Sequence, residues 1–555
     1  MKGIFQKNHR VFFYGLWLLL TLIQSGLTEL QDDEAYYWVY SHYLDWGYFD
    51  HPPMIAVLVK MGYAIFPNEL GVRLFPLLLN IFTLVIIEKL IEKKNPLLFY
   101  GIALSIAVIQ VTGFIAVPDI PLLFFTALFF LCYKNFCRSA SWLNTLLLGV
   151  AVAGLFYSKY HAVLIVFFTG LSNLKLLKQY KTYIAGTAAL LLFAPHLWWQ
   201  YQHNWESFRY HLFENNTHDY RLGFTIEYIW GQLLLPGPVA GIILLPAAFL
   251  YKPTNTTEKA LRYTMIGIYL FFLFSSFRGE VEANWTVPVL VPLFILSHQF
   301  LLRRIGWQKI LFRLLPLTLV PVLLARIAMI VDVVPLKLVK TRYHMWKEWP
   351  AQMKVRTKGL PVVFSNSYQR ASKYWFYSGQ LTHSENAYSG RMNNFDLWPI
   401  EDSLLGKPVY FLDIYDLWRF PDSLKTPIGT IGYKYDPAFL SFAKVKIEVL
   451  PDKIIAKPGD SIVLTCRFII PPHYIRFIQA NPALYDTTRV GIGNTEGWIK
   501  NQLTRFTLHQ MISRQEDTLH IHPGLPPGKY FLRLGINSGY RNATLNSDRI
   551  DLLIE

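Results

Sequence analysis

The sequence predicts an all-α polytopic membrane domain of about eleven spanning helices, followed by an extracytoplasmic α/β plus β-sandwich region. Three observations carry this expectation. The 555 residues are 53% hydrophobic and only 16% charged, with a mean hydropathy of +0.27, too apolar for an ordinary soluble protein. The apolar residues come in long uncharged runs, such as Pro121–Phe130 and Met265–Phe274. After about Asp332 the character changes to polar, turn-rich sequence.

The spans read in order as 11–30, 69–88, 96–115, 120–136, 143–158, 161–174, 182–198, 228–250, 263–277, 286–301 and 310–331. Lys2, Lys7 and Arg10 precede the first apolar stretch, and no small-residue cleavage site follows, so it reads as an uncleaved helix. Alternate loops are basic: Lys89/Lys93/Lys94, Lys134/Arg138, Lys175/Lys178/Lys181, Lys252/Lys259/Arg262 and Arg303/Arg304/Lys309. By the positive-inside rule these loops and the N-terminus are cytoplasmic, and an odd number of spans puts the tail outside. The same asymmetry explains the net charge of +16 without nucleic acid, which is excluded as a partner. Cys132, Cys137 and Cys466 form no disulfide framework and no zinc spacing.

Residues 1–331 are thus expected to form the membrane domain, with 31–67 as its first external loop and two interface helices within it. Residues 332–443 are expected to form an α/β region, because PVVFSNSYQRASKYWFY from Pro361 reads as a strand followed by a helix. Residues 444–555 are expected to form a β-sandwich, because VKIEVL, SIVLTCRFII and YFLRLGI lie between Pro/Gly turns.

The first external loop is the most informative segment. Asp32, Asp33 and Glu34 stand at the outer end of the first helix, followed by a crowd of Tyr and Trp. Sugar rings stack on aromatics while their hydroxyls bond carboxylates, so this company suits a sugar. Tyr48-Phe49-Asp50-His51-Pro52-Pro53 then opens a further helix, whose free N–H groups suit a phosphate beside His51. The plainer alternative is a solvated acidic loop.

These residues resemble the polyprenyl-phosphate-sugar-dependent GT-C glycosyltransferases, including the aminoarabinose transferases and, more distantly, the protein O-mannosyltransferases (glycosyltransferase family 39/83-like). The resemblance rests on Asp33-Glu34, Tyr48-Phe49-Asp50-His51-Pro52 and Gly71-Val72-Arg73, joined by Val117-Pro118-Asp119 and Ser158-Lys159-Tyr160. It covers roughly the first 330 residues and is diffuse after Lys159. In aminoarabinose transferases the residue before the Pro is usually Lys, whereas here it is His51, which bears on donor identity.

The resemblance implies an inverting sugar transfer on the periplasmic side of a bacterial inner membrane. It implies a polyprenyl-phosphate-linked sugar as donor and a membrane lipid, cell-surface glycan or protein as acceptor. Asp33 and Glu34 are then the candidate catalytic carboxylates, with Asp33 as the base. His51, Arg73, Lys159 and Arg278 are candidates for the donor phosphate, and Asp50, Asp119 and Tyr48 for substrate binding. Lys159 could instead snorkel to the interface, and Asp119 could simply favour a helix start. Pro195 to His211, with Glu214 and His218 beyond, is a further external loop of unassigned role. Arg278-Gly279-Glu280 with Asn284-Trp285 is another external turn, whose plainer reading is a charged hairpin. No cofactor is required; Asp32, Asp33, Asp50 and His51 leave a divalent cation open, without a compact ligand spacing.

The competing class is a flippase moving lipid-linked sugar without chemistry. Such a transporter would carry its ionisable residues near the bilayer midplane, whereas here the acids cluster at one face.

Overall fold

A computed structural model describes residues 2–214, 220–237, 239–333, 337–482, 484, 487–538 and 543–555; His218 lies outside them. The chain divides into two compact units, one through His344 and one from Met345. The first is helical. It extends past the expected boundary at 331 to include a short helix, Lys337–Tyr343.

Among the described residues, five helices are long and apolar enough to cross a membrane: Asn8–Leu27, Glu69–Leu90, Asp119–Arg138, Ala283–Leu302 and Ile305–Ile330. Shorter apolar helices accompany them at Met54–Ile65, Pro96–Ser105, Trp142–Ser158, Ala162–Ser172 and Ala240–Leu250. Two of the expected eleven spans are interrupted. The span expected at 96–115 breaks at Ile106 into Pro96–Ser105 and Ala107–Val111, and that at 228–250 breaks between Leu234 and Ala240. The two breaks meet: the Ala107 N–H donates to the Pro236 carbonyl at 3.2 Å. At Gly237, with φ +114°, a Cβ would fall 2.9 Å from the Ser105 carbonyl oxygen. Irregular backbone among apolar helices persists where a neighbouring element satisfies its freed polar groups, and here each break does so for the other.

Residues 31–67 hold two helices, Asp32–His42 and Met54–Ile65, and the former is buried from Glu34 to Ser41. Helix starts are fixed by side-chain caps. Asn68 accepts from the Gly71 N–H at 3.2 Å, and Ser141 from the Asn144 N–H at 3.2 Å.

The described residues of the second unit form three sheets. β1 (Val362–Ser365), β2 (Thr382–Glu385), β3 (Val409–Asp413), β4 (Asp422–Thr426) and β5 (Gly429–Asp436) are ordered β2-β1-β3-β5-β4. β1 runs parallel to both neighbours, and the helix Tyr368–Ser378 follows it, as its strand–helix pattern predicts. Then come β6 (Lys446–Leu450), β7 (Lys453–Ala456), β8 (Ile462–Ile469), β9 (Thr487–Asn494), β10 (Gly497–Thr507), β11 (Glu516–Ile521), β12 (Gly528–Ile536) and β13 (Ile550–Ile554). They form sheets β10-β9-β12-β13-β7 and β11-β8-β6 around one core. Strand alternation buries Ile462, Leu464, Cys466 and Phe468 while Val463 and Ile469 face outward, so Cys466 is a core residue.

The α/β and β parts are docked into one unit rather than strung on a linker. The Tyr388 N–H donates to the Ala543 carbonyl at 2.9 Å, and Lys444 pairs with Asp402 at 2.6 Å. Beneath them the Tyr474 hydroxyl donates to fully buried Glu401 at 3.0 Å. Burial raises the Glu401 carboxyl above its ordinary 4.5. The folded unit therefore holds this proton longer than the unfolded chain, so the contribution is full below about pH 4.5 and lost as pH rises through the elevated folded value. Glu401→Gln keeps an acceptor for Tyr474 and is expected to flatten that slope, read as hydrogen exchange of 345–555 amides in the full chain across pH. An unchanged slope would assign it to other groups.

Candidate active site

The anchor of the site is a buried ion pair. Glu34 and Arg73 are both wholly enclosed, with Nε–Oε1 at 2.7 Å and Nη2–Oε2 at 2.5 Å in a forked contact. Arg73 Nη1 donates to the carbonyls of Ser25 (2.9 Å) and Thr28 (2.7 Å), and Nη2 to that of Glu29 (2.9 Å). All five guanidinium N–H groups are thereby engaged. Glu34 also accepts from the backbone N–H of Gln31 at 2.9 Å and of Ala116 at 2.8 Å. Two expectations give way here. Glu34 has no oxygen open to an acceptor hydroxyl, and Arg73 has no donor left for a phosphate. The pair instead ties the end of the first helix to Asp32–His42, Glu69–Leu90 and the chain before Asp119.

Fixing Glu34 inward orients its neighbour. Asp33 is half-buried in the first turn of Asp32–His42, three and four residues before Tyr36 and Tyr37 and so on their face of the helix. Along that face the Tyr36 and Tyr40 hydroxyls reach toward Asp50 Oδ2 at 3.4 and 3.5 Å, and the Tyr37 ring lies 5.8 Å from the His51 ring. Asp50, buried, and His51, half-buried, thus meet the helix face whose first turn carries Asp33.

Tyr48 does not join them. Its ring stacks on Tyr40 at 4.0 Å, and its buried hydroxyl serves the carbonyls of Tyr40 (3.2 Å) and Tyr43 (3.0 Å) while accepting from the Asp45 N–H. The expectation of a substrate contact gives way to a structural one, because Tyr48 holds the loop closed from within.

The loop is clamped from outside by the 196–211 segment. His196 Nδ1 lies 2.7 Å from the Trp46 carbonyl, Trp199 Nε1 donates to Asp45 at 2.8 Å, and Ser207 donates to the Tyr48 carbonyl at 2.9 Å. At Gly47 any Cβ would fall 2.4 Å from the Trp199 ring, so only glycine permits this approach. His211 Nε2 sits 3.0 Å from the Asp50 carbonyl, and its ring is 5.6 Å from that of Tyr160.

Tyr160 leads directly to the second charged pair. Lys159 follows the helix Trp142–Ser158 and Asp119 begins Asp119–Arg138; both are buried, with Nζ–Oδ1 at 2.9 Å. Asn284 donates to the other Asp119 oxygen at 3.3 Å. Beside them, His161 packs 5.2 Å from both the Phe272 and Trp285 rings, and its buried Nδ1 has no hydrogen-bond partner among the described residues. Arg278 lies exposed at the start of the same turn; it is Asn284 that reaches the pair, while Trp285 packs on His161 beside it.

Tyr160, His161, His211 and Asn284 belong to this constellation. Tyr160 stands in the Ser158-Lys159-Tyr160 match, His211 and Asn284 lie in segments to which the sequence assigned no individual roles, and His161 carries no sequence signal. Tyr343, the last residue of Lys337–Tyr343, is another without such a signal: burial and the nearby Glu34 push its phenol up to about 12. Among the described residues no group of three or more His, Cys, Asp or Glu is arranged to hold a metal ion.

Residues 50–199, which include His51, Asp119 and Lys159, match the family model of dolichyl-phosphate-mannose-protein mannosyltransferases. Lipid A galacturonosyltransferase RgtD of Rhizobium johnstonii is 26% identical over 323 residues, covering 54% of this chain and 66% of that protein. An uncharacterized protein of Aquifex aeolicus is 28% identical over 275 residues, 45% of this chain and 52% of its own length. The match thus spans between half and two thirds of these relatives. Among solved structures, ArnT from Cupriavidus metallidurans bound to undecaprenyl phosphate superposes with a TM-score of 0.58 at 14% identity, covering 77% of this chain and 98% of that one. The fold, a helical membrane-type region with a C-terminal sheet-containing part, is therefore ArnT-like. Together the findings support the resemblance to GT-C polyprenyl-phosphate-sugar glycosyltransferases, with a lipid A-modifying enzyme among the relatives.

Proposed function

We propose that this chain transfers a sugar from a polyprenyl-phosphate donor to a lipid acceptor at the face bearing Asp33, with inversion. The observation that carries this reading is a continuous path from Asp50 to Lys159: His211 meets the Asp50 carbonyl, its ring packs on that of Tyr160, and Tyr160 is next in the chain to the buried Lys159. Asp33 takes the proton of the acceptor hydroxyl as that oxygen attacks the anomeric carbon. The bond from that carbon to the phosphate oxygen breaks, and polyprenyl phosphate leaves with the electron pair. Lys159 and His51 face the charge that develops on it. Asp119 and Asn284 hold Lys159 in place, and Glu34 with Arg73 holds Asp33. The relatives act on or bind lipid A and undecaprenyl phosphate, which supports a lipid acceptor and a polyprenyl donor here. In this reading the acidic face is periplasmic and the basic loops are cytoplasmic.

The test is to incubate the purified chain with a panel of polyprenyl-phosphate hexoses, hexuronates and aminopentoses plus a lipid A acceptor, and to weigh the acceptor. A mass gain of one sugar residue from one class of donor is expected. Acceptor unchanged with every donor, in protein that binds polyprenyl phosphate, would overturn the lipid-acceptor reading.

Lys159 has its own test. Lys159→Met is expected to weaken polyprenyl-phosphate binding roughly 10- to 100-fold, the worth of a charge-assisted hydrogen bond. Because that variant also strands Asp119, Lys159→Met/Asp119→Asn is the control. If the double variant regains binding, Lys159 serves only to neutralise Asp119. The mechanism routes no step through a metal, so EDTA is expected to leave turnover unchanged. Turnover lost to EDTA and restored by magnesium would instead make Asp33 and Asp50 ligands.

A further inference from the structure

We propose that a polar cavity at the opposite end of the helical unit from Asp33 holds the phosphodiester of an anionic phospholipid. Three helices fix its place. Asp119–Arg138 begins at the Lys159 pair and ends near Cys137; Ala162–Ser172 begins beside His161 and ends at Ser172; Thr256–Ser275 begins at Thr256 and runs to the turn carrying Asn284. Their far ends surround a cavity of about 360 Å³ lined by Cys137, Asn173, Lys175, Gln179, Thr256 and Lys259, among others, with no carboxylate in its wall.

The wall is rich in donors: two ammonium groups, two amides and the hydroxyls of Thr256 and Ser172, the latter donating to the Thr169 carbonyl. Neither Lys175 nor Lys259 forms an ion pair among the described residues. The nearest acid in sequence, Glu258, is occupied. Its Oε2 accepts from the Tyr251 hydroxyl at 2.9 Å and from the Thr254 N–H and hydroxyl at 2.8 and 2.9 Å. Two lysines with no carboxylate in the wall beside them favour an anion from outside the chain. The cavity's surroundings say which. Lys175 lies in the short helix Leu174–Lys178, LKLLK, where Leu174 and Leu177 are 60% and 61% exposed. Lysines that line the cavity and leucines exposed beside it match a headgroup and its acyl chains, and a free anion has no use for the leucines. The site is independent of the transferase reading, since it lies at the other ends of the helices.

Full-length protein is reconstituted in phosphatidylcholine nanodiscs doped with phosphatidylglycerol, extracted gently, and its retained lipid measured by native mass spectrometry. Retention of phosphatidylglycerol over phosphatidylcholine is expected. Lys175→Gln and Lys259→Gln are each expected to lower it roughly fivefold, following the field of one basic residue near a lipid surface. Arg303→Gln/Arg304→Gln, in another basic turn, is expected to leave it unchanged. Equal retention by Lys175→Gln/Lys259→Gln, or equal retention of phosphatidylcholine, would overturn the proposal. Displacement of the lipid by inorganic phosphate at equal affinity would make it a free-anion site and overturn the lipid assignment.

Discussion

Asp33→Asn is expected to lower turnover by about 10²–10⁴-fold, the usual worth of a general base, with donor binding little changed. The substitution is nearly isosteric, so it removes the proton acceptor and leaves the shape. Its structural cost is small by comparison. Asp33 sits in the first turn of Asp32–His42, where a negative charge gains about 0.3–1 kcal/mol from the helix dipole. Asp32 and Glu34 remain in the same turn, and the Glu34–Arg73 fork that sets the helix in place is untouched. Turnover and donor affinity measured side by side separate the two effects. If turnover falls only as far as donor affinity does, Asp33 is a binding residue and the base lies elsewhere on the surface, with Asp50 the next candidate.

Arg73→Leu is expected to act on the other side of that division, costing about 3–5 kcal/mol of stability by leaving Glu34 buried and unpaired. Three carbonyls, of Ser25, Thr28 and Glu29, lose their donors as well. Glu34→Leu/Arg73→Leu removes the stranded charge and is expected to recover part of the loss, but not the part owed to those carbonyls. Thermal denaturation of the two variants in the same detergent measures this. A stable Arg73→Leu protein that merely fails to bind polyprenyl phosphate would return Arg73 to the phosphate site that the family resemblance implied.

Much of this site was legible because its chemistry is local in sequence. Three acids, a crowd of aromatics and Asp50-His51-Pro52 lie within one loop, and a rule about sugars and phosphates applies to them directly. The division of labour inside the loop was not legible. Asp33 and Glu34 are adjacent and chemically similar, and only the arrival of Arg73, 39 residues on, decides which turns inward. Asp119 and Lys159 were each suggestive, but their pairing across 40 residues is a product of packing. Tyr48 looked like a ligand contact because it is aromatic and next to the acids; its hydroxyl is consumed by its own loop. The segments carrying His211 and Asn284 were noticeable in sequence, but these two residues gain a role only from what they touch, the Asp50 carbonyl and Asp119.

The helical unit shows the same division. Hydropathy reveals apolar runs but not where they bend. The break before Ala240 had a local cue in Pro236-Gly237, whereas that at Ile106 has none: it stands where the two interrupted helices complete each other's backbone hydrogen bonding. In the tail, strand alternation was readable, as in Ile462 to Phe468. The docking of the α/β part onto the sandwich through Asp402, Glu401 and Tyr388 depends on side chains far apart in sequence.

The central claim is chemistry rather than transport, and mass balance in a sealed vesicle tests it most directly. The chain is reconstituted in vesicles with sugar-labelled polyprenyl-phosphate donor and glycolipid acceptor, and label and free polyprenyl phosphate are both followed. One polyprenyl phosphate released for each sugar gained by the acceptor is the expected result. Intact donor appearing in the opposite leaflet, with no polyprenyl phosphate released, would contradict it and make the chain a carrier of its lipid-linked sugar.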